Sequence, residues 1–427
     1  MYKDLKPIFY KAVLLSMVLS LLAFTIALAA SGDLDTTFDG DGRVTTGFPG
    51  SNDSDSAYDI AIQADGKIVV AGSRHDVSTD NSDFAVLRYN PNGTLDTTFS
   101  GDGKLTTNFG GNDEAWGVAV QSDGKIVAGG SKCNNAFTIC DVALARYNSN
   151  GTLDTTFSSD GKVLNNSGGG LNGANSLAMQ PDGKIVMAGF RHNGTDIDLA
   201  VYRFKTNGIL DTTFSGDGVV VGNFGVGNAY GLDLEIQSNG KIVVAGHDDN
   251  NFIVARLNSN GTGDTTFSGD GLQITNFGAD DRAFGLTVQP DNKIVVVGGK
   301  CSPSCSVAIA RYTTNGSLDT TFNGTGRRVF SFVPGQQSLG QDVVVMSNGK
   351  IVVAGFATGA SPDFGIARLL PSGAFDTSFS GDGKLNIDFG EDDSAYGLAT
   401  QPADGKYVLA GPASVSLFDI GLARVLP

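Results

Sequence analysis

The sequence predicts an all-β chain closed into a seven-bladed β-propeller, and three recurring strings predict it. LDTTF or a close variant ends at Phe38, Phe99, Phe157, Phe214, Phe267, Phe322 and Phe379, at intervals of 53 to 61 residues. A string close to Q-x-D-G-K-I-V-V-A-G recurs with its lysines at Lys67, Lys125, Lys184, Lys241, Lys293, Lys350 and Lys406. A third, close to A-R-Y, places arginine at Arg88, Arg146, Arg203, Arg256, Arg311, Arg368 and Arg424. Three markers in constant order make a repeat of about 57 residues the unit of structure.

Each repeat reads as four strands, and the second copy shows why. The run WGVAVQ over 116–121 is rich in residues that suit a strand. Ser122-Asp123-Gly124 is a hairpin turn, because Asp-Gly tolerates the positive φ such turns need. KIVAGG over 125–130 is the next strand, and VALARYN over 142–148 the third. Asn150-Gly151 opens a long turn holding LDTTF, and the fourth strand starts at Lys162. No segment keeps a helical period. Apolar residues on both strand faces suit blades packed on both sides.

Four strands per unit is the propeller blade, whereas solenoid coils are usually shorter and carry atypical capping repeats. After residue 30 the chain supplies one LDTTF and one strand, while the seventh repeat stops just after its A-R string. The opening piece is what the last repeat lacks. The ring is therefore expected to close by pairing the strand near Arg43–Thr46 with the last strand, which brings Asp35 to Arg424. Residues 31–427 form this single domain.

The combination LDTTFsGDGk, QsDGKIVVAG and ARYnsNG resembles the delta-60 repeat, a β-propeller domain of unknown function in secreted bacterial proteins. The resemblance spans nearly all of 31–427. It implies fold and export and brings no catalytic or binding residues with it.

Residues 1–30 read as a signal peptide, with an uncleaved anchor as the alternative. Lys3, Lys6 and Lys11 precede an apolar run from Ala12 to Ala30, and Ala27-Leu28-Ala29 suits a cleavage site. A secreted or cell-surface location follows, with a membrane contact only through that anchor. Glycine is frequent, 59 of 427, which matches a turn at every corner. The net charge of −16 comes mostly from aspartate. That charge is turn chemistry first, and it excludes nucleic acid, which needs a basic footprint.

Candidate residues fall into four groups. Cys133 with Cys140 and Cys301 with Cys305 share one loop of the repeat and are expected to form two disulfides. The Asp of LDTTF follows the A-R arginine by eight residues: Arg88 and Asp96, Arg146 and Asp154, Arg203 and Asp211, Arg256 and Asp264, Arg311 and Asp319, Arg368 and Asp376. An arginine inside an apolar strand needs a partner, so these pairs are expected to be structural. The G-D-G aspartates, such as Asp102 and Asp217, are expected to hold turns; calcium is the lesser alternative, and no metal or other cofactor is predicted. His75, His192 and His247 follow the V-A-G string in the same loop as the cysteines.

An aromatic recurs near the start of the presumed innermost strand, at Tyr58, Trp116, Tyr230, Phe284 and Tyr396, where repeats three and six place Asn175 and Gln341. Aromatics beside carboxylates at a channel mouth suit a sugar or a cation. They equally suit packing between blades. No nucleophile elbow, zinc-protease motif or P-loop is present, so no catalytic residue is assigned. The reading is a monomeric extracellular binding scaffold for a protein or glycan ligand. Its alternatives are an enzyme at the mouth of the central channel, carbohydrate-active or similar, and a purely structural surface protein.

Overall fold

The computed structural model describes residues 29–48, 53–166, 169–222, 227–414 and 418–427. Nearly all of the expected targeting segment lies outside the described residues. No described helix is long and apolar enough to cross a membrane.

Seven four-stranded antiparallel sheets follow one another along residues 31–427. Blade 1 comprises Asp53–Ile62, Ile68–Asp76, Asn81–Tyr89 and Lys104–Thr107, in that order from the channel outward. Blades 2 to 6 repeat the pattern over 112–165, 172–222, 230–275, 280–330 and 337–387. Blade 7 takes Gly397–Thr400, Tyr407–Ser414 and Phe418–Val425, and its outermost strand is Arg43–Thr46. The register runs from Arg43 opposite Ala423 to Thr46 opposite Ile420. The ring thus closes as the repeat arithmetic predicts.

Both faces of each blade are apolar because each faces a neighbour. Seven buried clusters fill the seven interfaces; Phe157, Val142 and Leu144 of blade 2 meet Leu177, Met187 and Tyr202 of blade 3 in one of them.

The A-R arginine ties each blade to the next. In blade 2, Arg146 Nε donates to Asp154 Oδ2 at 2.8 Å and Nη2 to Thr156 Oγ1 at 3.2 Å. Nη1 reaches across the interface to the Thr206 carbonyl of blade 3 at 2.6 Å. The guanidinium also lies over the Phe157 ring, 4.6 Å from its centroid. All seven arginines meet their aspartate at 2.6–2.9 Å, including Arg424 with Asp35 across the closure. The D-G-K lysine, read from sequence only as the start of the second strand, is a second cation on the same carboxylate, at 2.6–3.4 Å in every blade. The aspartate's other oxygen accepts the N–H and hydroxyl of the Thr two residues on, as in Asp154 with Thr156. One string, LDTTF, therefore supplies the carboxylate, the hydroxyl and the ring that hold one arginine.

The two disulfides are Cys133–Cys140 and Cys301–Cys305. Each joins residues directly opposite in a two-strand ladder at the loop end of a blade.

Replacing Asp154 with Asn is expected to leave the buried Arg146 short of a counter-charge and to cost about 3–5 kcal/mol in chemical denaturation. Asp102→Ala, in an exposed turn whose aspartate only caps the Lys104 N–H, is expected to cost less than about 1 kcal/mol.

Candidate functional site

The site begins with a glycine. The Gly of V-A-G lies five residues after each D-G-K lysine, on the second strand. A Cβ there would sit 1.8–2.0 Å from a carbonyl oxygen of the innermost strand, or in blade 7 of the segment just before it: Ser56, Glu114, Gly173, Tyr230, Arg282, Leu339 and Ser394. Only glycine leaves room for that carbonyl. In blades 1 to 6 the pairing slips by one residue just beyond this point, a β-bulge. A bulge leaves one residue unpaired and re-aims its side chain. The extra residues are Tyr58, Trp116, Asn175, Leu232, Phe284 and Gln341, and with Tyr396 of blade 7 they line a central cavity of about 400 Å³.

Four of the five aromatic candidates therefore share one ring. Tyr58 stacks on Trp116 with centroids 4.0 Å apart, and Tyr396 meets Tyr58 edge-on at 6.1 Å. All are half-buried. Tyr230 is not in the ring: Leu232 occupies its place. Counting back from Gln237, which precedes the hairpin as Gln63 does in blade 1, gives Leu232, whereas blade 4 carries its aromatic two residues earlier. Tyr230 lines a neighbouring pocket with His247, whose ring stacks on it at 5.2 Å. The ring lies in mid-strand within the channel, deeper than the strand start that the sequence suggests.

The residue after the bulge carries a second pattern, which the aromatic reading missed. It is Asp59, Asp233 and Asp342 in blades 1, 4 and 6. Each spans two blades with its two oxygens. Asp59 accepts the Ile60 N–H with one and the Val118 N–H of blade 2 with the other, both at 2.7 Å. Asp233 does the same for Leu234 and Leu286, and Asp342 for Val343 and Leu398. Blade 3 has Ser176 here, and its hydroxyl donates to Asp233 at 2.9 Å. An aspartate at one fixed place, four residues before the hairpin glutamine or its equivalent, was the available signal, since such a group is costly to bury without partners.

These carboxylates and Glu235 share a cavity whose lining, among the described residues, contains no Lys, Arg or His. Their residual exposure faces the narrow channel, so burial dominates their ionisation. It pushes Asp59 up to about 7 against its N–H bonds, with Asp233 adding repulsion. Asp233 rises to about 6 and Glu235 to about 7, while Asp342 moves well above the carboxylate range. The LDTTF aspartates move the other way. Burial alone would raise them, but the Thr bonds, the lysine and the arginine together hold Asp35, Asp211 and Asp319 near 2.

The remaining candidates stay in separate places. His75 Nε2 lies 3.4 Å from Asp80 and lines a pocket of about 270 Å³ with Glu114, beside the channel between blades 1 and 2. The His192 ring accepts the Gly194 N–H, and His247 Nδ1 lies 2.8 Å from the Asp248 carbonyl, so each serves its own loop. Each G-D-G aspartate caps the N–H two residues on, at 2.9–3.0 Å. Carboxylate oxygens of Asp363, Asp388 and Asp393 come within 4.8 Å of one another; Asp393 is already engaged by the N–H groups of Phe389 and Ser414.

Clasp, bulge and closure together define a seven-bladed β-propeller with an acidic, aromatic-lined channel. Six segments, residues 63–99, 121–157, 180–214, 237–267, 289–322 and 347–379, match the family model described as "Domain of unknown function (DUF5122) beta-propeller". No curated protein matches the sequence. Among solved structures, a catalytically inactive virginiamycin B lyase from Staphylococcus aureus with quinupristin aligns at 13% identity and TM-score 0.50, over 90% of this chain and 100% of that one. A periplasmic gluconolactonase from Pseudomonas aeruginosa aligns at 11% identity and TM-score 0.43, over 88% and 96%. The β-propeller domain of the Trilobed protease from Pyrococcus furiosus aligns at 12% and 0.42, over 87% and 93%. At such identities the likeness is one of fold alone.

The two carboxylate sets predict a stability maximum in mild acid. The LDTTF aspartates, depressed on folding, contribute stability above about pH 4 that is lost as pH falls toward 2. The channel carboxylates, raised on folding, bind more protons in the folded than in the unfolded chain between about pH 4 and 7, so stability falls as pH rises through that window. The melting temperature is expected to peak near pH 4–5 and to decline toward pH 8. Asp342→Asn, which removes one of three mutually repelling charges, is expected to flatten the decline. A rise in melting temperature from pH 5 to 8 would contradict this.

Proposed function

We propose that this protein is an exported binding scaffold whose ligand docks from the loop face, through the mouth of the central channel onto the ring inside it. The observation that carries the reading is a division of labour between side chains. Residues that are constant from blade to blade all go into the arginine clasp, the bulge or the turns. The ring position instead reads Tyr58, Trp116, Asn175, Leu232, Phe284, Gln341, Tyr396. A propeller that served only as a spacer has no use for an irregular lining that leaves three contiguous aromatics half-exposed. Such a cavity, mostly walled by fixed groups and carrying a few polar ones, is the usual form of a ligand site. Export is supported by the apolar run after Lys3, Lys6 and Lys11, by the two disulfides, and by the resemblance to the delta-60 repeat.

A second reading, an enzyme at the same mouth, draws its support from His75 beside Asp80 in a pocket that also holds Glu114. Turnover of a bound compound would separate it from simple binding.

The test is a thermal-shift and calorimetric screen of small organic cations, saccharides and peptides, on wild type and on Trp116→Ala and Tyr396→Ala. A ligand whose affinity falls at least about tenfold in either variant, with the melting temperature held, supports the reading. A screen without binders, or variants that only lose stability, returns the aromatics to packing.

A further inference from the structure

The pocket between blades 1 and 2 has features that the fold does not require. Its roof is the loop from Cys133 to Cys140, closed by a disulfide. Inside that loop Asn134 is a hub: its backbone N–H donates to the Ile139 carbonyl, and its side-chain oxygen accepts the Thr138 and Ile139 N–H groups. The result is to hold Phe137 outward, 55% exposed, with φ at +52°. Every other described non-glycine residue at positive φ is Asp, Asn or Ser, the types whose short side chains tolerate it. A phenylalanine there pays in strain and in exposed apolar surface at once. Strain of this kind persists where surrounding structure enforces it and points to function. The other disulfide loop, Cys301 to Cys305, carries only Ser302, Pro303 and Ser304 between its cysteines, so the disulfide itself does not demand an aromatic.

Below Phe137 the walls are hydroxylic. Ser54, Ser56, Ser73 and Ser82 line the cavity, and the Tyr58 hydroxyl bonds the Ser73 hydroxyl at 3.2 Å. Glu114, His75, Asp80 and Asn112 complete it, and among the described residues no Lys or Arg faces it. Burial raises the Glu114 carboxyl above its ordinary range. Two carboxylates, with no Lys or Arg among the described lining residues, disfavour phosphate-bearing or carboxylate ligands. The density of donors and acceptors disfavours an apolar one. Carboxylates beside a ring also suit a cation, but the run of serine hydroxyls with the Asn112 amide favours a molecule with many hydroxyls and one C–H face to lay against a ring.

We propose that this pocket is a saccharide subsite, in which Phe137 covers the C–H face of one sugar ring while Glu114, His75 and the serines bond its hydroxyls. At about 270 Å³ it is near the lower end of ligand cavities, roughly 300–1,000 Å³, which suits one ring with a second extending along the loop face. The proposal rests on the reading that the loop face binds a ligand, and it names the class and the place.

The experiment is calorimetric titration of the purified protein with glucose, galactose, mannose, N-acetylglucosamine, cellobiose, maltose, lactose and chitobiose. It is run on wild type, Phe137→Gly, Glu114→Gln and Trp116→Ala. Gly accepts positive φ without strain, so Phe137→Gly should keep or raise the melting temperature. The expected result is binding of at least one sugar, weakened about tenfold or more by Phe137→Gly and by Glu114→Gln. A sugar whose binding survives Phe137→Gly but fails in Trp116→Ala overturns the subsite while leaving the channel reading intact. If none of these sugars binds but a compound of another class does at the loop face, the saccharide proposal alone is overturned. If nothing binds in either screen, both readings fall.

Discussion

A guanidinium buried at the foot of every blade sets the terms for the rest of the structure. Left unpaired it would be prohibitive, so each arginine needs a carboxylate, a hydroxyl and a neighbouring carbonyl in fixed places. LDTTF supplies the first two from the same blade, and the turn of the next blade supplies the third, as Thr206 does for Arg146. The need for a carbonyl from the adjacent blade makes the clasp an inter-blade bond repeated around the ring. It also explains how closure is specified. Arg424 finds its carboxylate in Asp35 and its hydroxyl in Thr37, while Ser380 of blade 6 bonds the Ser31 carbonyl where other blades use the next repeat. Blade 6 departs in one respect: Arg368 Nη1 sits 3.4 Å from the Tyr407 hydroxyl.

With the feet of the blades tied, the channel is shaped by what the innermost strand does at mid-length. The V-A-G glycine removes the one Cβ that would block a bulge, and the bulge turns one side chain per blade toward the axis. Variety of side chain along the channel is thereby confined to positions that the clasp does not touch. The geometry that holds the ring and the chemistry that lines the channel are carried by different residues of the same 57-residue unit.

This separation governs how far the sequence could be read. Blade count, strand order, ring closure, both disulfides and the Arg–Asp pairs were legible because each depends on contacts within one repeat or on simple counting. The lysine on Asp154 was not, since Lys125 lies 29 residues before it and a D-G-K turn explains itself locally. The ring was legible in part. Trp116 and Tyr396 follow from spacing, but Tyr230 misled because a bulge is counted from the conserved end of the strand, and Gln237 was the proper origin. Asp59, Asp233 and Asp342 were visible as acids at one fixed place in the strand, yet their bonds to Val118, Leu286 and Leu398 belong to another blade. The strain at Phe137 is a backbone angle, which no residue pattern displays.

The three channel aspartates carry a consequence of arithmetic. Each serves its own blade and the one after, joining 1 with 2, 4 with 5 and 6 with 7. Three separate couples leave one blade of seven outside the scheme, and it is blade 3, whose Ser176 hydroxyl and Asn175 amide donate to Asp233 and the Gly231 carbonyl of blade 4 instead. That odd blade gives a nearly sevenfold ring an origin. Together with the irregular ring of lining side chains, it leaves the channel axis without rotational symmetry.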